Sequence, residues 1–158
     1  MKQVYFLFSI CLFLFACNTT QTTTKDHYLP DVLQSVQLGM PMEQVLKLRP
    51  KAYVVNSVQN TPRQVYTEDI ENDNYQAIDY FFDKTGEKSL VELNIRHTSE
   101  EKAEQTIRKH FGESKNHKQN EWQKTLSDGT NIYATWRKKK VFVFIKAAKN
   151  SLEKTAVE

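Results

Sequence analysis

The chain has 158 residues, 22 basic and 19 acidic, for a formal net charge of +3. That length supports one domain of ordinary size, and a balance so close to neutral gives no support to nucleic acid as a partner. The two cysteines, Cys11 and Cys17, both fall in the first seventeen residues, so the remaining chain has no thiol for a disulfide, a cysteine nucleophile or a thiolate metal site.

Met1-Lys2 give a short positive start, and Val4 to Phe15 is an almost unbroken apolar run. At about 12 residues the run is too short for a spanning helix, which needs roughly 20. Leu14-Phe15-Ala16-Cys17 follows, then a polar, Thr-rich stretch. A charged start, an apolar segment and a small residue before the cut are the layout of a secretory signal peptide over residues 1–16. With cysteine directly after the small residue, the tetrad resembles the lipobox of bacterial lipoproteins. The resemblance implies that Cys17 becomes the acylated first residue of the mature protein, with membrane lipid as its partner. Asn18, rather than Asp, follows it, which points to the outer membrane in hosts that sort by that residue. Losing Lys2 brings the net charge to 21 − 19 = +2.

Residues 17–28 read as the lipidated cysteine and a flexible tether, because Asn18 to His27 contains no apolar residue. A single domain is expected over 29–149. Leu29 to Leu33 suits a short helix with Pro30 in its first turn. Gly39 then breaks the chain, Pro41 suits a helix start and Pro50 cannot continue one, so a short helix is expected over 41–49, with Val45 and Leu48 on its apolar face. Strand-like runs follow at Ala52–Val55, Arg63–Thr67, Tyr75–Phe82 and Leu90–Arg96. Asp83-Lys84-Thr85-Gly86 provides a hairpin loop between the last two. In the last run Val91, Leu93 and Ile95 alternate with Leu90, Glu92, Asn94 and Arg96, which predicts a sheet with one wet face.

Thr98 and Glu101 have the spacing of a capping box, and Ala103, Ile107, His110 and Phe111 form an apolar stripe that Gly112 ends. This predicts a second helix. Glu121–Leu126, Asn131–Trp136 and Val141–Ala147 read as strands, joined by turns at Ser127-Asp128-Gly129-Thr130 and Arg137–Lys140. Residues 150–158 form a polar tail expected to be disordered. The pattern predicts an α+β fold: an antiparallel β-sheet with two short helices packed on one face, the helix–hairpin unit occurring twice, over 41–96 and 98–147.

Leu38-Gly39-Met40-Pro41-Met42-Glu43-Gln44-Val45 resembles the helix entry of SmpA/OmlA-type lipoproteins, a family that includes the small lipoprotein subunit of the outer-membrane β-barrel assembly machinery. Gly39, Met40 and Val45 carry the match. The duplicated layout is similar to the β-lactamase-inhibitor-protein fold. The resemblance implies a scaffold that binds an envelope protein and carries neither catalytic residues nor a cofactor.

Local motifs for chemistry fail on spacing. Asp69, Glu71 and Asp73 begin like a calcium loop, but the sixth and twelfth positions hold Asn74 and Tyr80 instead of Gly and a carboxylate. His97, His110 and His117 match no zinc spacing. No Gly-x-Ser-x-Gly motif occurs, and the four glycines form no phosphate loop. Trp136 followed by Arg137-Lys138-Lys139-Lys140 is the sharpest charged feature. It is a candidate site for an anionic partner, set against the plainer reading of a solvated hairpin turn whose lysines discourage edge pairing. Three functions stay open: an envelope interaction module, an inhibitor or immunity-type protein, and a small-ligand binder or enzyme, which would need a concave pocket of convergent polar groups.

Overall fold

A computed structural model describes residues 27–55, 62–113 and 120–145. Residues 1–16, Cys17 and the tether to Asp26, His117, the end of the last expected strand at 146–147 and the tail at 150–158 lie outside that set.

The described chain runs as a 3₁₀ turn (Asp31–Leu33), α1 (Met42–Leu48), β1 (Tyr53–Val54), β2 (Arg63–Asp69), β3 (Tyr75–Asp83), β4 (Leu90–His97), α2 (Glu100–Phe111), β5 (Glu121–Thr125), β6 (Asn131–Arg137) and β7 (Lys140–Ile145). The fold is α+β. All seven strands form one antiparallel sheet in the order β1-β2-β3-β4-β7-β6-β5. The centre of the sheet is the β4–β7 pair, where Leu93 faces Val143 and Ile95 faces Val141.

One face of the sheet carries the core. Ile78, Tyr80 and Phe82 of β3, Leu93 and Ile95 of β4, Val141 and Val143 of β7 and Ile132 and Ala134 of β6 are all buried there. The 3₁₀ turn, α1 and α2 cover this face through Leu33, Val45, Ala103 and Ile107, which join the same cluster. Burying each large side chain contributes about 1.5–3 kcal/mol of transfer free energy, so this layer carries most of the favourable energy of the fold.

Tyr28, which composition assigned to the tether, is only 3% exposed and belongs to this core. Its hydroxyl accepts a hydrogen bond from the Leu38 amide at 2.9 Å. The ring makes the assignment fail: a bulky apolar body next to a polar run has burial available as soon as Leu29 and Leu33 enter the core.

Strict alternation also fails at the start of β4. The register slips between Phe81↔Glu92 and Phe82↔Leu90, so Val91 is an extra residue in the ladder. This bulge turns Leu90 inward beside Phe82, fully buried, although period-two reading put it on the polar face with Glu92. The main chain ahead of α1 is clasped onto the same place. The Gly39 amide donates to the Leu90 carbonyl at 2.7 Å, and the Leu90 amide donates to the Met40 carbonyl at 2.8 Å. Gly39 holds φ +89° to make that approach, a region an L side chain resists.

The second helix starts one residue later than capping-box spacing predicted. Ser99 is the N-cap and its Oγ accepts from the Lys102 amide at 3.3 Å. Thr98 instead donates its hydroxyl to the Asp73 carbonyl at 2.6 Å, binding the β2–β3 loop to the helix entry. Ser99→Ala is therefore expected to cost about 0.5–1 kcal/mol, read from the urea midpoint, since it leaves an orphan amide in the first turn. At the other end Gly112 caps the helix, and its carbonyl accepts from the Trp122 indole at 3.0 Å.

Candidate interaction surface

Because side chains alternate along every strand, the sheet has a second face, and no helix of the described chain lies on it. Registers place its side chains in three rows running across the strands. The first row is Val65, Phe81, Glu92, Phe144, Tyr133 and Gln123. The second is Thr67, Asp79, Asn94, Phe142, Thr135 and Glu121, and the third is Asp69, Ala77, Arg96, Lys140 and Arg137.

Asp79 is the polar hub of this face. It accepts from the Thr67 hydroxyl at 2.9 Å, the Asn94 amide at 2.8 Å and Arg96 at 3.0 Å. Thr67 and Asn94 are buried although no helix of the described chain lies over them. Asn94 Oδ1 and Arg96 Nε are buried with no hydrogen-bond partner among the described residues. Arg63 pairs with Glu92 two strands away.

Toward β6 the face becomes aromatic and basic. β7 reads Val-Phe-Val-Phe, with the valines in the core and Phe142 and Phe144 on the open face, both partly exposed. Tyr133 stacks on Phe144, with centroids 5.9 Å apart and planes at 22°. A wet sheet face should be polar, and this half is not. Next to the phenylalanines, Arg96, Lys140 and Arg137 are direct cross-strand neighbours. Three cations in a row repel one another at strand spacing. Among the described residues only Arg96 of the three has an acidic partner, Asp79. A shallow depression of about 610 Å³ lies against Phe142, Phe144, Thr135, Arg137, Arg63 and Glu92, and also touches Asn120 and Trp136.

The basic run is therefore divided by the pleat and the turn. Arg137 and Lys140 stand on the open face, while Lys138 and Lys139 form the two-residue turn, with Lys138 at φ +52°. Lys139 lies near Glu101, whose carboxyl is held below its ordinary range by backbone and Ser99 hydrogen bonds, Lys139 adding to the effect. Trp136, read with this cluster from sequence, is on the other side of the sheet. It packs against the core, and its indole donates to the Lys138 carbonyl at 2.6 Å. Of the resemblance motif, Gly39 and Met40 make the clasp on Leu90 and Val45 is a core residue. Cys17 is outside the described residues.

Two polar groups sit on the covered face, and sequence reading missed one of them. Glu68 of β2 is buried with Arg49, just past α1, at 2.7 Å, and the same carboxylate oxygen accepts from the Tyr80 hydroxyl at 2.8 Å. Arg49 also donates to the Val32 carbonyl at 3.0 Å. Burial works against the Arg49 charge, but Glu68 and Tyr80 more than restore it, so its pKa sits above the ordinary value. Burial pushes the Tyr80 hydroxyl up, keeping it a donor. The pair is separated by 19 residues and has no local signature. The second group is His97, fully buried against the Tyr75 ring at 5.0 Å. Neither ring nitrogen has a hydrogen-bond partner among the described residues. Burial drives its pKa down to about 4, against an opposing pull from the nearby Asn74 backbone, with Lys102 adding to the fall.

Among the described residues no three His, Cys, Asp or Glu side chains gather at metal-binding distance. His110 is half-buried on α2 and lines a depression with Asn74, Tyr75 and Lys102. In the loop read as acidic, Asn72 Oδ1 accepts from the amides of Asn74 and Tyr75 at 2.9 and 2.8 Å, which is turn chemistry. No helix of the described chain is long and apolar enough to cross a membrane. Comparison with known proteins finds no matching family model, curated protein or solved structure.

Proposed function

We propose that the protein is a lipid-anchored, non-enzymatic interaction module of the bacterial envelope, and that the open sheet face is the surface it presents. The observation that carries this reading is the half-aromatic, half-basic face with no helix of the described chain over it. Partly exposed phenylalanines beside cations that lack acidic partners among the described residues, Arg137 and Lys140, raise the energy of the free state, and a partner removes that cost. The N-terminal order of charged start, apolar run, small residue and Cys17 supports the anchor. Acyl chains contribute about 0.8 kcal/mol per buried methylene, so two or three hold a protein stably at a membrane.

Metabolic labelling with an alkyne palmitate and membrane fractionation test the anchor. Label in the outer-membrane fraction, lost in Cys17→Ser together with membrane association, is the expected result. An unlabelled wild-type chain in the soluble fraction defeats it.

The second reading is an inhibitor or immunity-type protein, favoured by element order. α1 precedes the β2-β3-β4 meander and α2 precedes the β5-β6-β7 meander, and the last strands of the two meanders are neighbours. That order supports a duplicated helix–hairpin unit and the SmpA/OmlA-like and inhibitor-like resemblances read from sequence. Assays against muramidases and β-lactamases separate the readings: no inhibition at high protein concentration removes the second.

A further inference from the structure

The geometry points to the chemistry of the partner: an extended, acidic polypeptide segment that places a carboxylate on the Arg96–Lys140–Arg137 row and apolar side chains over Phe142 and Phe144. This inference rests on the interaction-module reading and deepens it.

Register makes the cations a row rather than a cluster. Arg96, Lys140 and Arg137 span two strand spacings, about 10 Å. Asp79 neutralises one of them, and among the described residues Lys140 and Arg137 make no ion pair. Phe142 and Phe144 follow Lys140 on the same face at two-residue steps, about 7 Å each. An extended polypeptide repeats its own side chains at that step. A segment lying along β7 with an acidic residue followed by apolar residues two and four places on meets all three positions in turn. The second apolar residue reaches the depression of about 610 Å³ beside Phe144. A flat bilayer surface does not enter a depression, so the face favours a polypeptide over a membrane. The turn lysines are not part of the site, because Lys138 and Lys139 lie beyond the row and Lys139 is near Glu101.

The probe is a fluorescent extended peptide of about twelve residues with the pattern Glu-x-Phe-x-Leu, whose binding to the full chain is followed by anisotropy. Expected is saturable binding that weakens with salt. Arg137→Glu with Lys140→Glu should lower affinity about tenfold or more. Phe144→Ala should lower it about threefold with the salt slope unchanged, and Lys138→Glu with Lys139→Glu should leave it within about twofold. Thermal midpoints of the variants separate lost binding from lost folding, and relief of the cation row should leave the Arg137→Glu, Lys140→Glu midpoint unchanged or raised. Equal losses from the turn pair, equal binding of a peptide with Lys in place of Glu, or displacement of the peptide by phosphatidylglycerol vesicles but not phosphatidylcholine vesicles each overturn the assignment. In-cell photo-cross-linking from position 133 distinguishes the two levels. Partners still captured by the Arg137→Glu, Lys140→Glu variant, with no peptide binding, overturn this ligand chemistry and leave the module reading standing. Absence of any cross-linked partner overturns both.

Discussion

Replacing Arg49 with methionine is expected to destabilise the protein by about 3–5 kcal/mol. The methionine fills much of the arginine's volume, so the loss is electrostatic rather than a cavity. Glu68 is left inside with only the Tyr80 hydroxyl at the oxygen that held Arg49. An unpaired buried carboxylate cannot recover its hydration, and its neutral form becomes the cheaper one. Removing that charge as well should therefore relieve the deficit. Arg49→Met combined with Glu68→Gln should regain much of the loss, because the amide retains an acceptor for Tyr80 without a charge. Urea titrations of the single and double variants check both parts. Equal deficits in the two would show that Arg49 acts through packing alone.

The second large effect is a loss of stability on mild acidification that comes from His97. With a folded pKa of about 4 against an ordinary value of about 6.5, the ring is neutral in both states above pH 6.5 and its contribution is fully present. Between pH 6.5 and 4 the unfolded chain takes up a proton that the folded chain refuses, so stability falls as pH falls. Below pH 4 both states are protonated and the loss levels off. The integrated effect is about 2–3 kcal/mol, at about 1.4 kcal/mol per pKa unit with allowance for screening. His97→Leu keeps an apolar body against Tyr75 and has nothing to titrate. The difference in unfolding free energy between wild type and this variant, measured from pH 7.5 to 4, should change through that window and be flat above it. A constant difference would place the histidine in contact with solvent or with a partner for its proton.

Both effects concern residues whose importance depends on distant neighbours, and this marks the boundary of what sequence discloses. The strands were legible because they are short alternating runs ended by turn residues, as in Asn131–Trp136 or Tyr75–Phe82. α2 was legible from one stripe and one glycine. Where the reading slipped, a local rule lost to a tertiary contact. Leu90 was drawn inward by Phe82 through a bulge at Val91, Ser99 took the cap while Thr98 went to the Asp73 carbonyl, and Tyr28 found a core next to its tether. The candidate surface was less legible. Phe142 and Tyr133 could be read as core or sheet-face residues, and only the register shows that the valines of β7 fill the core and leave the phenylalanines outside. Likewise, Arg137 to Lys140 is one basic run in sequence, but Arg96 joins two of its members only once β4 is paired with β7. Arg49 and Glu68 carry no pattern at all, since an ion pair closed across the layer leaves both residues looking like ordinary surface charges.

The β4–β7 pairing also has a consequence for how the chain is made. β4 is complete by residue 97, yet its second neighbour begins at Lys140. Until that strand emerges, the N-terminal meander presents a bare edge of amides and carbonyls flanked by Leu93 and Ile95, which is a template for pairing with the wrong chain. Closing so long a loop delays the correct pairing relative to the local hairpins. A nascent or truncated chain that stops short of β7 is therefore the aggregation-prone species of this protein, and a chaperone that shields one strand edge protects it at its weakest moment.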